Sequence, residues 1–208
     1  MRRGCQPLVA EHQSASTERA GYRMVKRARQ IEETRTRIVA ATVELHGTVG
    51  PANTTVSAVA EVAGVTRVTV YRHFPDEDAL FAACTSHWAA QQRMPDPAGW
   101  RAIPAQEDRA VAALTDLYRF FHEAEPMLTL TTRDREALPA FVRQRNQQTA
   151  EAQIEALLGA WPPRQRTKRR RALAGHAMSF TTWHSLCVDQ ALRQSDAVTA
   201  MTRLIVDG

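Results

Sequence analysis

Residues 55–74 read Thr-Val-Ser-Ala-Val-Ala-Glu-Val-Ala-Gly-Val-Thr-Arg-Val-Thr-Val-Tyr-Arg-His-Phe, a pattern of two short helices joined by a turn. Val56, Val59, Ala60 and Ala63 recur at i, i+3, i+4 and i+7, one apolar helical face. Thr55 can cap that helix with its hydroxyl. Gly64 falls where the helix must stop, and glycine accepts the left-handed conformation such stops use. Thr66 can cap a second helix, with Val70 and Phe74 one turn apart on its inner side. Ala60 is small enough to let the two helices cross closely, as a helix-turn-helix requires. The second helix is left with Arg67, Val68, Thr69, Tyr71, Arg72 and His73 on its outer side. These types supply the donors, methyl groups and aromatic edge that read base edges and phosphates.

The flanks extend the pattern. A preceding helix is expected from Ile31 to Thr48, with Ile38, Ala41, Thr42 and Leu45 facing inward and Gly50-Pro51 ending it. Pro75 ends the second helix of the pair. Asp76 caps a fourth, whose first turn carries Glu77 and Asp78 at the positive end of its dipole. That helix holds Leu80, Phe81, Cys84 and Trp88 and is expected to stop near Met94, before a loop at Asp96-Pro97-Ala98-Gly99. Further helices are expected near 107–123, 126–132, 137–159, 164–192 and 195–206, and no run alternates as a strand does. Residues 1–30 lack a sustained apolar period and are read as a disordered basic arm, with Arg19, Arg23, Lys26, Arg27 and Arg29 near its end. Such an arm could lie on phosphates or in a minor groove, or be a tail without function. Both Met1 and Met24 are candidate starts.

Charge is placed unevenly. Residues 1–75 hold 11 Lys and Arg against 6 Asp and Glu, whereas residues 76–208 hold 16 of each. The basic excess therefore accompanies the helix pair, which favours a polyanionic partner. Three widely spaced cysteines, Cys5, Cys84 and Cys187, argue against a disulfide framework. Neither a membrane-spanning run nor a signal-peptide core is visible, so a cytoplasmic protein is expected. No nucleophile-elbow, P-loop, dinucleotide or zinc-protease motif occurs, and neither an enzyme activity nor a cofactor is expected.

Residues 34–88 resemble the DNA-binding region of TetR-family transcriptional regulators, most specifically through Ala63-Gly64-Val65-Thr66 followed by Val70-Tyr71-Arg72-His73-Phe74-Pro75. The resemblance implies an all-α protein: a three-helix helix-turn-helix head at 31–75, then a helical effector-binding and dimerisation domain at 76–208. It implies a homodimer on a palindromic DNA operator, most often as a repressor released by a small effector. Carried over by position, Arg67, Val68, Thr69, Tyr71, Arg72 and His73, with Thr66 at the helix start, would contact DNA. Thr55 and Ser57 would touch phosphate or sugar. Three positions depart from the family pattern. Glu77 stands where a lysine usually meets the DNA backbone, and His46 and Pro51 stand where aromatics usually pack. A regulator without a small-molecule effector is the alternative.

Within 76–208, Phe81, Cys84, Trp88, Phe120, Phe121, Phe141, Phe180, Trp183 and His184 form the candidate wall for an apolar or aromatic effector, though each could equally be core. Cys84/His87 and His184/Cys187 each place a Cys and a His at i, i+3. They would form a metal site or a redox pair only if their helices met, and no metal is expected. The run Arg164–Arg171 reads as a solvated face paired with neighbouring acids.

Overall fold

The computed structural model describes residues 9–208, with side chains from Gly21 onward. Eleven α-helices and no strand occur among these residues. They are α1 (Val9–Thr48), α2 (Val56–Val62), α3 (Arg67–His73), α4 (Glu77–Ala90), α5 (Pro97–Arg101) and α6 (Gln106–Glu123), followed by α7 (Glu125–Arg133), α8 (Ala140–Leu158), α9 (Lys168–Ala177), α10 (Phe180–Trp183) and α11 (Gln194–Asp207).

Two apolar clusters organise them. The first joins Ile38, Val59, Ala60, Val70, Phe74, Leu80 and Cys84, so its core continues past Pro75 into the first two turns of α4. The second is built around α6, whose Leu114, Leu117 and Tyr118 cluster with Leu157 of α8, Trp161 just after it, Ala177 of α9, Trp183 of α10 and Ile205 of α11. Arg109 is buried here without an acidic partner. Its guanidinium donates instead to the carbonyls of Ile103 at 2.7 Å, Arg101 at 3.0 Å and Ala156 at 3.1 Å, which ties the ends of α5 and α8 to α6. Tyr118 donates to the Ala177 carbonyl at 2.8 Å and so meets an unpaired acceptor at the end of α9.

Several expectations need correction. Residues 9–30 are not irregular: α1 starts at Val9 and runs unbroken to Thr48. The stretch after Pro7 is rich in Glu, Arg, Ala, Lys and Gln, strong helix formers that need no apolar face. Residues 1–8 lie outside the described part. Residues 96–99 are not a plain loop. Asp96 caps α5 by accepting from the Ala98 N–H at 3.1 Å, and the Asp116 carboxylate pulls the segment in through the Asp96 N–H at 2.7 Å and the Trp100 indole at 3.0 Å. α4 stops at Ala90 rather than Met94. The helix expected over 164–192 is broken at Met178-Ser179, where Ser179 caps α10 by accepting from the Thr182 N–H. α10 then widens into a π-helical segment, His184–Asp189.

The basic run is largely exposed, as expected, but its pairing departs from expectation. Only Arg171 pairs with an acid there, Glu155. Arg166 donates to the carbonyls of Trp161 and Gly159, and Arg170 to those of Ile205 and Val206. Both cations therefore cap helix C-termini, where positive charge is favoured.

Candidate nucleic-acid interface

The helix pair forms as its residues dictate. The Thr55 hydroxyl accepts from the Ala58 N–H at 3.2 Å, and the Thr66 hydroxyl from the Thr69 N–H at 3.2 Å. Gly64 adopts φ +63° between them. Val70 and Phe74 are buried against α1 and α2, which leaves the rest of α3 outside. Arg67, Val68, Tyr71 and Arg72 are exposed on it, whereas Thr69 and His73 are half-buried at its edges. Val68 stands 69% exposed, an apolar side chain with no protein partner to cover it. The Thr69 hydroxyl lies 3.0 Å from that of Thr66 and is engaged locally. Thr55, Ser57 and Thr66 are exposed at the starts of α2 and α3.

Two residues that sequence reading did not single out set the orientation of α3. Arg37 donates to the Ala63 carbonyl at 3.1 Å, bracing the turn between α2 and α3. Arg35 lies over the Phe74 ring, 4.4 Å from its centroid, and reaches the His73 carbonyl at the far end of α3. They flank the apolar face of α1 rather than forming part of it, so no periodicity marks them.

A third support comes from α7. The Asp134 carboxylate accepts from the Ala52 N–H at 3.0 Å, and Arg133 donates to the Val49 carbonyl at 2.8 Å. Gly50 sits between these contacts at φ +90°, and a Cβ there would run into the Arg133 and Asp134 side chains. The loop after α1 is thereby held to the end of α7 by residues more than 80 positions away.

His46, Pro51 and Glu77, the three departures from the family pattern, line one cavity of about 270 Å³, together with Thr42, Val59 and Phe81. His46 is buried, with its ring 4.7 Å from that of Phe81 and its Nδ1 3.6 Å from the Cys84 Sγ. Burial lowers the His46 pKa to about 4 and raises that of the Cys84 thiol to about 11. The pair is therefore neutral near pH 7, and Cys84 acts as a small buried apolar group rather than a nucleophile.

Cys84 and Cys187 are not brought together, since they belong to different clusters. Among the described residues no group of three or more His, Cys, Asp or Glu is placed to hold a metal ion. His184 lies 3.3 Å from Asp189 and 3.9 Å from Glu125.

The candidate effector wall divides. Phe81 and Cys84 pack in the first cluster. Phe120, Phe121, Phe180 and Trp183 pack on one another in the second, with Phe121–Phe180 centroids 5.7 Å apart and Phe180–Trp183 centroids 5.5 Å apart. Trp88 and His184 join this group at its edges, 6.2 Å from Phe120 and 5.7 Å from Phe180. Phe141 lies outside it, 37% exposed on α8. The Trp183 indole N–H is buried without a partner.

The architecture and the exposed polar face of α3 define an all-helical DNA-binding protein of the helix-turn-helix class. Residues 38–84 match the family model described as bacterial regulatory proteins, tetR family. A tetR-family transcriptional regulator from Streptomyces coelicolor shares the fold at a TM-score of 0.55 and 18% identity, over 85% of this chain and 78% of that one. A TetR transcriptional regulator from Rhodococcus sp. RHA1 aligns at a TM-score of 0.47 and 19% identity, over 84% of this chain and 94% of the other. No curated protein matches the sequence. The family match lies across the head, whose residues 38–84 are thus similar to the DNA-binding region of TetR-family regulators. Among the described residues no helix is long and apolar enough to cross a membrane.

Proposed function

We propose that the protein is a repressor that binds a palindromic operator as a homodimer, with α3 in the major groove. The observation that carries this reading is the division of α3: Val70 and Phe74 anchor it to the head, while Arg67, Val68, Tyr71 and Arg72 face solvent. Arg67 and Arg72 supply guanidinium forks, each suited to guanine or to phosphate. Val68 is the apolar side chain suited to a thymine methyl. Thr55 and Ser57, at the start of α2, suit phosphate, where that helix end also presents free N–H groups. A seven-residue helix reads only a few base pairs, so a two-fold pair of heads on half-sites about one turn apart is the natural way to reach operator-length specificity.

In this reading an apolar effector reaches the second cluster and shifts the heads through α4 and the α7 contact with the loop after α1. It must bind the DNA-incompetent arrangement more tightly than the other. A second reading, a regulator without a small-molecule effector, is favoured by the packing of Phe120, Phe121, Phe180 and Trp183 against one another. Calorimetry against a panel of small aromatic compounds, repeated with operator DNA present, separates the two. Binding that weakens when DNA is bound supports effector control. Absence of binding, with operator affinity intact, supports the second.

A further inference from the structure

The cavity of about 270 Å³ at the start of α4 has walls from both parts of the molecule. His46 of α1 and Val59 of α2 belong to the head, Glu77, Asp78 and Phe81 to α4, and Ala137 to the link between α7 and α8. Its inner surface is apolar: Val59 and Leu80 are buried in the head cluster, and Phe81 packs against that cluster. The volume is near the lower bound of about 300 Å³ for small-molecule sites, which suits a guest of about one ring.

Two features say what that guest must offer. Glu77 and Asp78 are the charged residues that line the cavity; both are acids, and both are exposed at its mouth. Neither is paired with a cation among the described residues. The other feature is His46, which is only 6% exposed. Its Nδ1 faces the Cys84 Sγ at 3.6 Å, whereas its Nε2 has no hydrogen-bond partner among the described residues and is not sealed against solvent. Since the ring lines this cavity, Nε2 is the polar atom that opens into it from within. Neighbouring hydroxyls are already committed: Thr42 donates to the Ile38 carbonyl at 2.8 Å and Thr54 to the Gly50 carbonyl at 2.9 Å. Burial keeps His46 neutral near pH 7, so it adds no positive charge to repel a cation. An apolar chamber with a neutral imidazole inside and two unpaired carboxylates at its mouth suits an organic cation, whose ammonium donates charge-assisted hydrogen bonds. A bare metal ion is a poorer match, because among the described residues no three His, Cys, Asp or Glu groups converge to hold one.

We propose that this cavity is a binding site for a small primary amine with an apolar body, separate from the aromatic cluster of the second core, and that its occupancy fixes the head against the link between α7 and α8. A guest there touches Val59, on the helix before the recognition helix, and Ala137, in the link that follows Asp134. The Asp134 carboxylate already holds the loop after α1, so the guest adds to the contacts that set where the head sits. Coupling between two ligands is reciprocal, so amine and DNA must change each other's affinity by the same factor. That second part rests on the DNA-binding reading above; the site itself does not.

Calorimetry on the full-length protein without DNA tests the site with butylamine, benzylamine and phenethylamine, and with benzyl alcohol as the neutral counterpart of benzylamine. The expected result is saturable binding of the amines, with benzylamine about tenfold or more tighter than the alcohol. Glu77→Gln combined with Asp78→Asn should bring benzylamine to the level of the alcohol. Ala137→Phe, a change at an exposed residue of the rim, should weaken both together by closing the mouth. Absence of saturable binding by all three amines, equal binding of benzylamine and benzyl alcohol, or amine binding that survives Ala137→Phe would overturn the proposal. Affinity for duplex DNA is then measured at matched ionic strength with and without saturating benzylamine. A change of about fivefold or more is expected in the native protein and none in Ala137→Phe. Unchanged DNA affinity in a native protein that binds the amine would overturn the coupling. Failure of the native protein to bind DNA at all would count against the repressor reading alone, since the calorimetry still decides the site.

Discussion

Arg67 and Tyr71 carry the most direct residue-level expectations. If Arg67 grips a guanine, Arg67→Ala should weaken operator binding by about 1–3 kcal/mol and relax preference at one position of each half-site. If it grips phosphate, the weakening should be uniform across sequences; a base-substitution series on the operator separates the two. Tyr71→Ala should weaken binding without unfolding the head, because Tyr71 is 43% exposed and lies outside the apolar cluster. His46 bears on stability rather than recognition. Burial holds its folded pKa near 4, below the 6.5 of an exposed histidine, so the unfolded chain takes up the proton first. The stability that the neutral ring represents is fully present above about pH 6.5 and is lost as pH falls towards 4, by up to about 3 kcal/mol. Urea unfolding between pH 7 and pH 4 should show this slope, and His46→Phe should flatten it. An unchanged slope in that variant would mean that other groups carry the acid sensitivity. The caps and anchors of the helix pair were legible because each acts within four residues: Thr55, Gly64, Thr66 and Phe74 occupy the roles their spacing implies. Arg35, Arg37, Arg109 and Arg133 were not. Each works by donating to a main-chain carbonyl of another element, and no residue pattern announces an acceptor.

At the scale of elements, the contact between α7 and the loop after α1 makes a firm prediction. Gly50→Ala must force a Cβ into the Arg133–Asp134 pair at a backbone conformation that L residues rarely adopt. The backbone part alone should cost about 1–3 kcal/mol, because φ +90° with ψ 159° lies in a region essentially reserved for glycine. Asp134→Ala should leave the Ala52 N–H without its acceptor and loosen the loop. Faster amide exchange at Ala52, with operator affinity reduced more than overall stability, is the outcome that marks α7 as a positioning element for the head. Thr66→Ala should cost about 0.5–2 kcal/mol through removal of the α3 cap. Element boundaries were least legible where tertiary contacts make them. Asp116 draws α5 onto α6 from twenty residues away, and Ser179 restarts a helix that apolar spacing alone would continue. The beginning of α1 was hidden for the opposite reason: residues 21–33 form a helix with no buried face for a period to reveal.

For the whole molecule, sequence and structure agree on a helix-turn-helix head joined to a larger helical body, but α4 belongs to both. Its Leu80 and Cys84 complete the head core, while Trp88 packs on the body core. A shift of α4 would therefore move both cores, and the departures His46, Pro51 and Glu77 gather beside its first turns. Aromatic residue types alone could not tell an effector wall from packed core, because both demand apolar side chains in the same helices; in the structure four of them fill one another's space. The central claim is that α3 reads sequence as one half of a two-fold pair. It is tested most directly by selecting bound sequences from random duplex DNA near physiological salt. The account predicts an enriched palindrome with half-site centres about one helical turn apart. No enrichment, with only weak and steeply salt-dependent binding, would leave the electrostatic attraction of a basic head and contradict the account.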